Sequence, residues 1–325
     1  MQLTANINIE LLSTFLSKEG ILGEGEKVES TEKPGEGNMN VVLRVRTNQR
    51  TFIAKQSRPF VQKYQDIPAP IDRIAVEHQF YQTIEKGTID QHLPKVLGFL
   101  SKEHLLFLED LGDSEDFSFV YNNTREISKS HIEQLTSIAR GIHESTLTST
   151  YPENIELRKL NHQHIFVLPF LEENGFSLDD VQEGLQALSL PLKQDLLLKE
   201  KIALLGKLYL TTTGGVLLHG DYYPGSWMCK QDKIFVLDPE FSFLGFAEFD
   251  LGVMAAHLFM ATGNTSILEE VIEGYQRPIN KSLMREFAGM EVLRRLIGLA
   301  QLPLKRSLEE KKTLLSTARS WVVGG

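Results

Sequence analysis

Two short apolar segments that end in carboxylates constrain this chain more than any other feature. Leu217-Leu218-His219-Gly220-Asp221 is followed by Ile234-Phe235-Val236-Leu237-Asp238-Pro239-Glu240. Seventeen residues separate Asp221 from Asp238, room for one tight loop and one short return strand. A carboxylate at Asp221 can accept the proton of a hydroxyl. Asp238 and Glu240 stand at i and i+2, so in an extended segment both side chains face the same way. Hard oxygen ligands at that spacing suit Mg²⁺. Asp and Pro also favour turns, so a plain strand-ending turn is the other reading of Asp238-Pro239-Glu240. Taken together, a base and a cation-holding pair suit phosphoryl transfer. That chemistry needs a positioned nucleophile and a neutralised polyphosphate.

A chain of 325 residues with 42% hydrophobic residues can bury a substantial core, as two domains or one large one. Its net charge of −9 argues against nucleic acid as a main partner. The single cysteine, Cys229, excludes an internal disulfide framework and suits a reducing compartment. The start of the chain lacks a basic segment followed by an apolar core, so no secretory signal is expected. The apolar run from Leu251 to Ala261 is interrupted by His257 and is too short to cross a bilayer. A cytoplasmic protein with no membrane partner is the expectation.

The first third reads as strand-rich. Turn residues at Lys33-Pro34-Gly35 precede a β-branched run from Val41 to Arg46. Asn48-Gln49 then separates it from a second strand, Thr51 to Lys55. A helical pattern covers Asp72 to Ile84, and strands are expected at 95–99 and 105–109. From about Ser128 the periodicity becomes helical, at 132–143, 196–209, 251–259 and 283–299. The expected architecture is α+β and bilobal, with a small antiparallel β lobe at 1–110 and a larger, mainly α lobe at 111–325. The acidic, glycine-containing segment 110–116 is the expected connector, with a cleft between the lobes.

Gly35-Glu36-Gly37-Asn38-Met39-Asn40 lies between a turn and a strand. Glycines there let backbone N–H groups approach phosphates, although a hairpin turn can require glycine for φ > 0 alone. Lys55 ends the second strand and could hold nucleotide phosphates, fixed by Glu77 on the following helix. A strand-end lysine that merely keeps its head in water is the other reading. The strand ending at Glu109, with Leu111 just beyond, can offer backbone groups to a purine edge, or can be an ordinary core strand. His219 is expected to brace its loop by hydrogen bonding. Asp250, ahead of a helical pattern, is expected to cap that helix, a role compatible with holding the loop of Asp221. His162 and His164 lack a carboxylate or cysteine cluster and are read as packing or surface residues. The absence of Gly-x-Ser-x-Gly argues against an esterase.

With these residues assembled, the chain resembles the aminoglycoside phosphotransferase and choline kinase group of protein-kinase-like enzymes. It is most similar to the 5-methylthioribose kinase branch. The similarity is carried by Gly35 to Val42, by Ile53-Ala54-Lys55-Gln56, by Leu108-Glu109-Asp110-Leu111, by His219-Gly220-Asp221 and by Asp238-Pro239-Glu240-Phe241. The resemblance implies a kinase-like fold and ATP and Mg²⁺ as cofactors, with a small-molecule hydroxyl as acceptor, of a methylthioribose-like kind. It implies Asp221 as catalytic base. Gly35, Gly37, Asn38, Asn40, Lys55, Glu77, Glu109 and Leu111 would serve the nucleotide. Asp238, Glu240 and Ser226 would serve the metal, the wider group carrying Asn at the position of Ser226. Arg294 and Arg295 resemble the arginine pair near the sugar site of that branch and could neutralise charge on substrate or phosphate, and Tyr222 and Tyr223, beside the base, are assigned with them to the acceptor. A homodimer is a further expectation. A second reading, a nucleotide-binding protein that has lost catalysis, rests on Ser226 and on Tyr222-Tyr223-Pro224.

Overall fold

The computed structural model describes residues 1–35, 39–84, 89–122, 127–147 and 150–324. Helix α1 (Ile9–Lys18) is capped by Asn8, whose side chain accepts from the Leu11 amide. Strands β1 (Val28–Glu32), β2 (Val41–Thr47) and β3 (Thr51–Gln56) follow, then a separate hairpin of β4 (Phe60–Val61) and β5 (Tyr64–Pro68). Helix α2 (Arg73–Ile84) leads into β6 (Val96–Leu100) and β7 (Leu105–Glu109). The sheet runs in the order β1-β2-β3-β7-β6, with antiparallel neighbours throughout.

Side-chain alternation decides what this sheet presents on each face. Phe52 and Ala54 of β3, with Leu105 and Phe107 of β7, pack under α1 against Leu12 and Leu16. Leu106 and Leu108 point the other way, to the larger core that also takes Ile74, Phe80 and Ile84 of α2. Both faces of β7 are therefore buried, which explains its unbroken apolar run. Lys55 shares the α2 face with Ile53, so the register of β3 sends its ammonium toward the cleft.

Past the connector, β8 (Glu115–Asp116) begins the second lobe. Helices α3 (Lys129–His143), α4 (Ile155–His162), α5 (Leu185–Lys193) and α6 (Leu196–Thr211) then precede β9 (Val216–Leu218). Strands β10 (Trp227–Lys230), β11 (Lys233–Val236) and β12 (Phe243–Gly245) are short. Strand β10 pairs with β11 and β8, so the expected connector adds a strand to the second lobe. Strand β9 pairs antiparallel with β12. Helices α7 (Ala247–Thr262), α8 (Ile267–Tyr275), α9 (Lys281–Ile297) and α10 (Leu308–Val323) complete the chain. Every residue of α7 from Phe249 to Ala261 is buried, so this helix is the axis of the lobe rather than an amphipathic surface helix. Among the described residues no helix is long and apolar enough to cross a membrane. The fold is thus mixed, with an antiparallel sheet in the N-terminal part and helices dominating the C-terminal part, as expected.

Candidate active site

The loop after β9 is shaped by one backbone requirement. Gly220 has φ +84°, and a Cβ there would stand 2.2 Å from the Phe241 carbonyl oxygen, so no other residue fits without displacing the chain. Buried Asp250 holds the same turn. Its Oδ2 accepts from the His219 amide at 2.7 Å and its Oδ1 from the Gly220 amide at 3.0 Å. Asp250 is the fourth residue of α7, whose N-cap position is Phe246, so it braces the loop from inside the first turn and does not cap the helix. His219 donates from Nε2 to the Leu237 carbonyl at 2.9 Å and accepts the Asp221 amide on Nδ1 at 3.3 Å. Burial pushes its pKa down, which keeps the ring neutral and both bonds possible at once. The histidine ties the Asp221 loop to the segment before Asp238.

Asp238 adopts the left-handed conformation at φ 63°, which aspartate tolerates better than most residues. Its Oδ1 lies 2.7 Å from Lys55 Nζ, and the same ammonium lies 2.7 Å from Glu77 Oε2. Burial by itself would lower the pKa of Lys55, but Asp238, Glu77 and Glu240 outweigh it and hold the ammonium protonated. Partial desolvation of its cleft position raises the Asp238 pKa, and Lys55 in turn draws it down by more, keeping the carboxylate ionised. A cavity of about 280 Å³ opens here. Val42, Ile53, Leu108 and Met228 line its apolar part, Glu109 and Leu111 one edge, and Lys55, Asp238 and Gly225 another. Gly35 also lines it, whereas Gly37 and Asn38 lie outside the described residues. An apolar slot with a cation and a carboxylate at one end matches a planar base joined to a polyphosphate.

Three assigned residues are engaged elsewhere. Glu240 Oε2 is 3.1 Å from Arg73 Nε and accepts Asn40 Nδ2 at 2.9 Å, so Glu240 and Asn40 link the two lobes to each other. Arg73 is fully buried and donates to the Arg58, Pro70 and Met39 carbonyls as well. Ser226 donates its hydroxyl to the Asp221 carbonyl at 3.0 Å and thereby closes the loop. A fourth assignment needs correcting. Tyr222 is fully buried and its hydroxyl donates to the Leu135 carbonyl at 2.8 Å, so it is a core residue and does not face an acceptor.

Asp221 has a quarter of its side chain exposed. Burial raises its pKa to about 6, against the opposing pull of Arg295 and Arg294. Arg295 Nη2 stands 3.7 Å from Asp221 Oδ1, and its guanidinium lies over the Tyr223 ring at 5.0 Å. Glu291 receives Arg294 Nε at 2.5 Å and Arg295 Nε at 2.8 Å. The i, i+3 and i, i+4 spacing of Glu291 to the two arginines is the signature of same-face helix pairs and is a signal present in the sequence itself. Arg73 carries no such local signal, and Asp110 is legible in the sequence only as part of the strand exit and connector. Asp110, just past β7, holds Arg44 at 2.9 Å and accepts the Gly112 amide at 3.0 Å, fixing the strand exit that edges the cavity.

The phosphotransferase enzyme family matches residues 30–291. A methylthioribose kinase of Exiguobacterium sibiricum is 26% identical over 248 residues, covering 73% of this chain but 62% of that enzyme, under two thirds of its length. A methylthioribose kinase of a Geobacillus species is 26% identical over 351 residues, covering 92% of this chain and 85% of that one. Among solved structures, a spectinomycin phosphotransferase in complex with ADP and spectinomycin superposes with a TM-score of 0.58 at 13% identity, covering 97% of this chain and 99% of that one.

Proposed function

The chain belongs to the phosphotransferase enzyme family, and from that premise we propose that it is a small-molecule kinase that moves the γ-phosphoryl group of ATP to a hydroxyl of a methylthioribose-like sugar. The observation that carries this reading is the meeting of Lys55, Glu77 and Asp238 beside the loop of Asp221. Lys55 orients the phosphates. Asp221 accepts or orients the proton of the acceptor hydroxyl. Val42, Ile53, Leu108 and Met228 sandwich the base, with backbone at Glu109 to Leu111 along its edge.

Asp238 fits one ligand position of a Mg²⁺ ion. Its side chain is more than half exposed and commits one oxygen to Lys55. Among the described residues no group of three or more His, Cys, Asp or Glu forms a cage of its own. That suits a cation that keeps several waters and is held jointly by a carboxylate and substrate phosphates. When bound, the ion neutralises charge that develops on the transferred phosphoryl group. Glu240 and Ser226 are the weaker candidates, given their bonds to Arg73 and to the Asp221 carbonyl.

The acceptor side is charge-balanced, with Arg294 and Arg295 set against Glu291 and Asp221. Within this set of four the charges cancel, and the arginine N–H groups suit hydroxyl oxygens. This favours an uncharged polyol over a cationic amine. The intact Lys55–Asp238 pair and the ordered Asp221 loop favour an active enzyme over a protein that only binds nucleotide. The test is an acceptor screen coupled to ADP detection, with methylthioribose, ribose, choline and aminoglycosides. Turnover is expected on methylthioribose or another neutral sugar. Turnover confined to cationic amines would refute the acceptor assignment, and no turnover on any hydroxyl compound would refute the kinase reading.

A further inference from the structure

We propose that Glu291 is a positioning residue for the acceptor, aiming both arginines at the hydroxyl that Asp221 serves; this rests on the kinase reading above. The carboxylate is completely buried within α9. Its Oε1 receives Arg295 Nε at 2.8 Å and His257 Nε2 at 2.9 Å, and its Oε2 receives Arg294 Nε at 2.5 Å. Binding each arginine by Nε leaves the Nη edges as the groups able to reach elsewhere. For Arg295 that reach is visible, since its Nη2 lies 3.7 Å from Asp221 Oδ1.

A second layer fixes the carboxylate. His257 Nδ1 is 2.5 Å from the Tyr121 hydroxyl. An ionised Glu291 can only accept, so His257 must carry its proton on Nε2 and accept on Nδ1. Tyr121 then donates to Nδ1, and the whole chain from Tyr121 through His257 to Glu291 has one direction. Burial also pushes His257 down to about 4, in keeping with a neutral ring. Tyr223 is clamped by the same set, with Arg295 over its ring at 5.0 Å and the His257 ring 5.2 Å away. None of these groups belongs to the cavity at Lys55, so the arrangement acts on the acceptor side alone. A carboxylate that served only to stabilise α9 would have no reason to distinguish the two substrates.

The test is steady-state kinetics on the full chain with methylthioribose as acceptor. Glu291→Gln keeps the shape of the side chain but must turn an N–H toward one of its three donors. We expect the acceptor KM to rise at least tenfold and kcat to fall, with the KM for ATP within twofold of wild type. Tyr121→Phe removes one hydroxyl and serves if Glu291→Gln does not fold. It should raise the acceptor KM about threefold, again without moving the KM for ATP. Combined, the two changes should be non-additive, because both act through one carboxylate. Wild-type turnover accompanied by an unchanged acceptor KM in both variants, or by equal changes in both substrate KM values, would overturn the positioning role alone. A wild-type enzyme that phosphorylates no hydroxyl compound would remove the kinase reading and this role with it.

Discussion

Lys55 and Asp238, 183 residues apart in the chain, meet at 2.7 Å. The contact joins the sheet of one lobe to the turn after β11 in the other. It depends on β3 register on one side and on the left-handed backbone of Asp238 on the other.

On the proposed reading, Asp221→Asn removes the proton acceptor and leaves the loop's backbone bonds in place. Turnover should fall by about 10²–10⁴-fold, the range for loss of a general base. Calorimetric ADP affinity should stay within about twofold, because Asp221 does not line the cavity at Lys55. Near-normal turnover in this variant would remove the base assignment.

The rate should depend on pH through the same carboxylate. Burial raises Asp221 to about 6, and the base is active only when ionised. Below about pH 6, kcat/KM should therefore drop about tenfold per unit, and it should level off above. A profile that stays flat down to pH 5 would contradict the raised pKa.

Glu77→Gln takes one of two close carboxylates from Lys55. The ammonium would then lean on Asp238 alone, and its aim at the phosphates would loosen. The KM for ATP should rise about tenfold, equivalent to about 1.4 kcal/mol, while the acceptor KM holds. Equal effects on both substrates would point to general disruption instead.

Asp250→Asn should cost stability. One amide of the His219–Gly220 turn would face an N–H instead of a carboxylate oxygen. Leaving a buried donor unmet costs about 1–3 kcal/mol. Urea unfolding should show a lower midpoint with an unchanged slope, and turnover should fall with the loosened loop.

Much of this was legible in the sequence, for identifiable reasons. The β3 and β7 segments are apolar on the faces that become core, so their ends at Lys55 and Glu109 could be placed almost to the residue. The placement of Asp221 and Asp238 at the ends of short apolar strands was legible from the apolar runs before them. Helix α5 was missed, and Pro191 inside it breaks the usual signal. Helix α4 was missed because it is short and passes directly into a π-helical turn at Gln163–Val167. Helix α1 went unread despite its buried Leu12 and Leu16 and its Asn8 cap. Tyr222 misled because an aromatic next to a base reads as a cleft residue. Only the fold reveals that its hydroxyl meets the Leu135 carbonyl of α3. The engagement of Glu240 by Arg73 was out of reach for the same reason, since no local pattern announces a partner on another lobe.

The bridge from Lys55 to Asp238 also bears on how a nucleotide is received. The ammonium already has carboxylate company before any triphosphate arrives, so loading is an exchange of counter-ions and not the capture of an anion by a bare cation. On the kinase reading, Asp238 would hold a cation with the oxygen that Lys55 does not take.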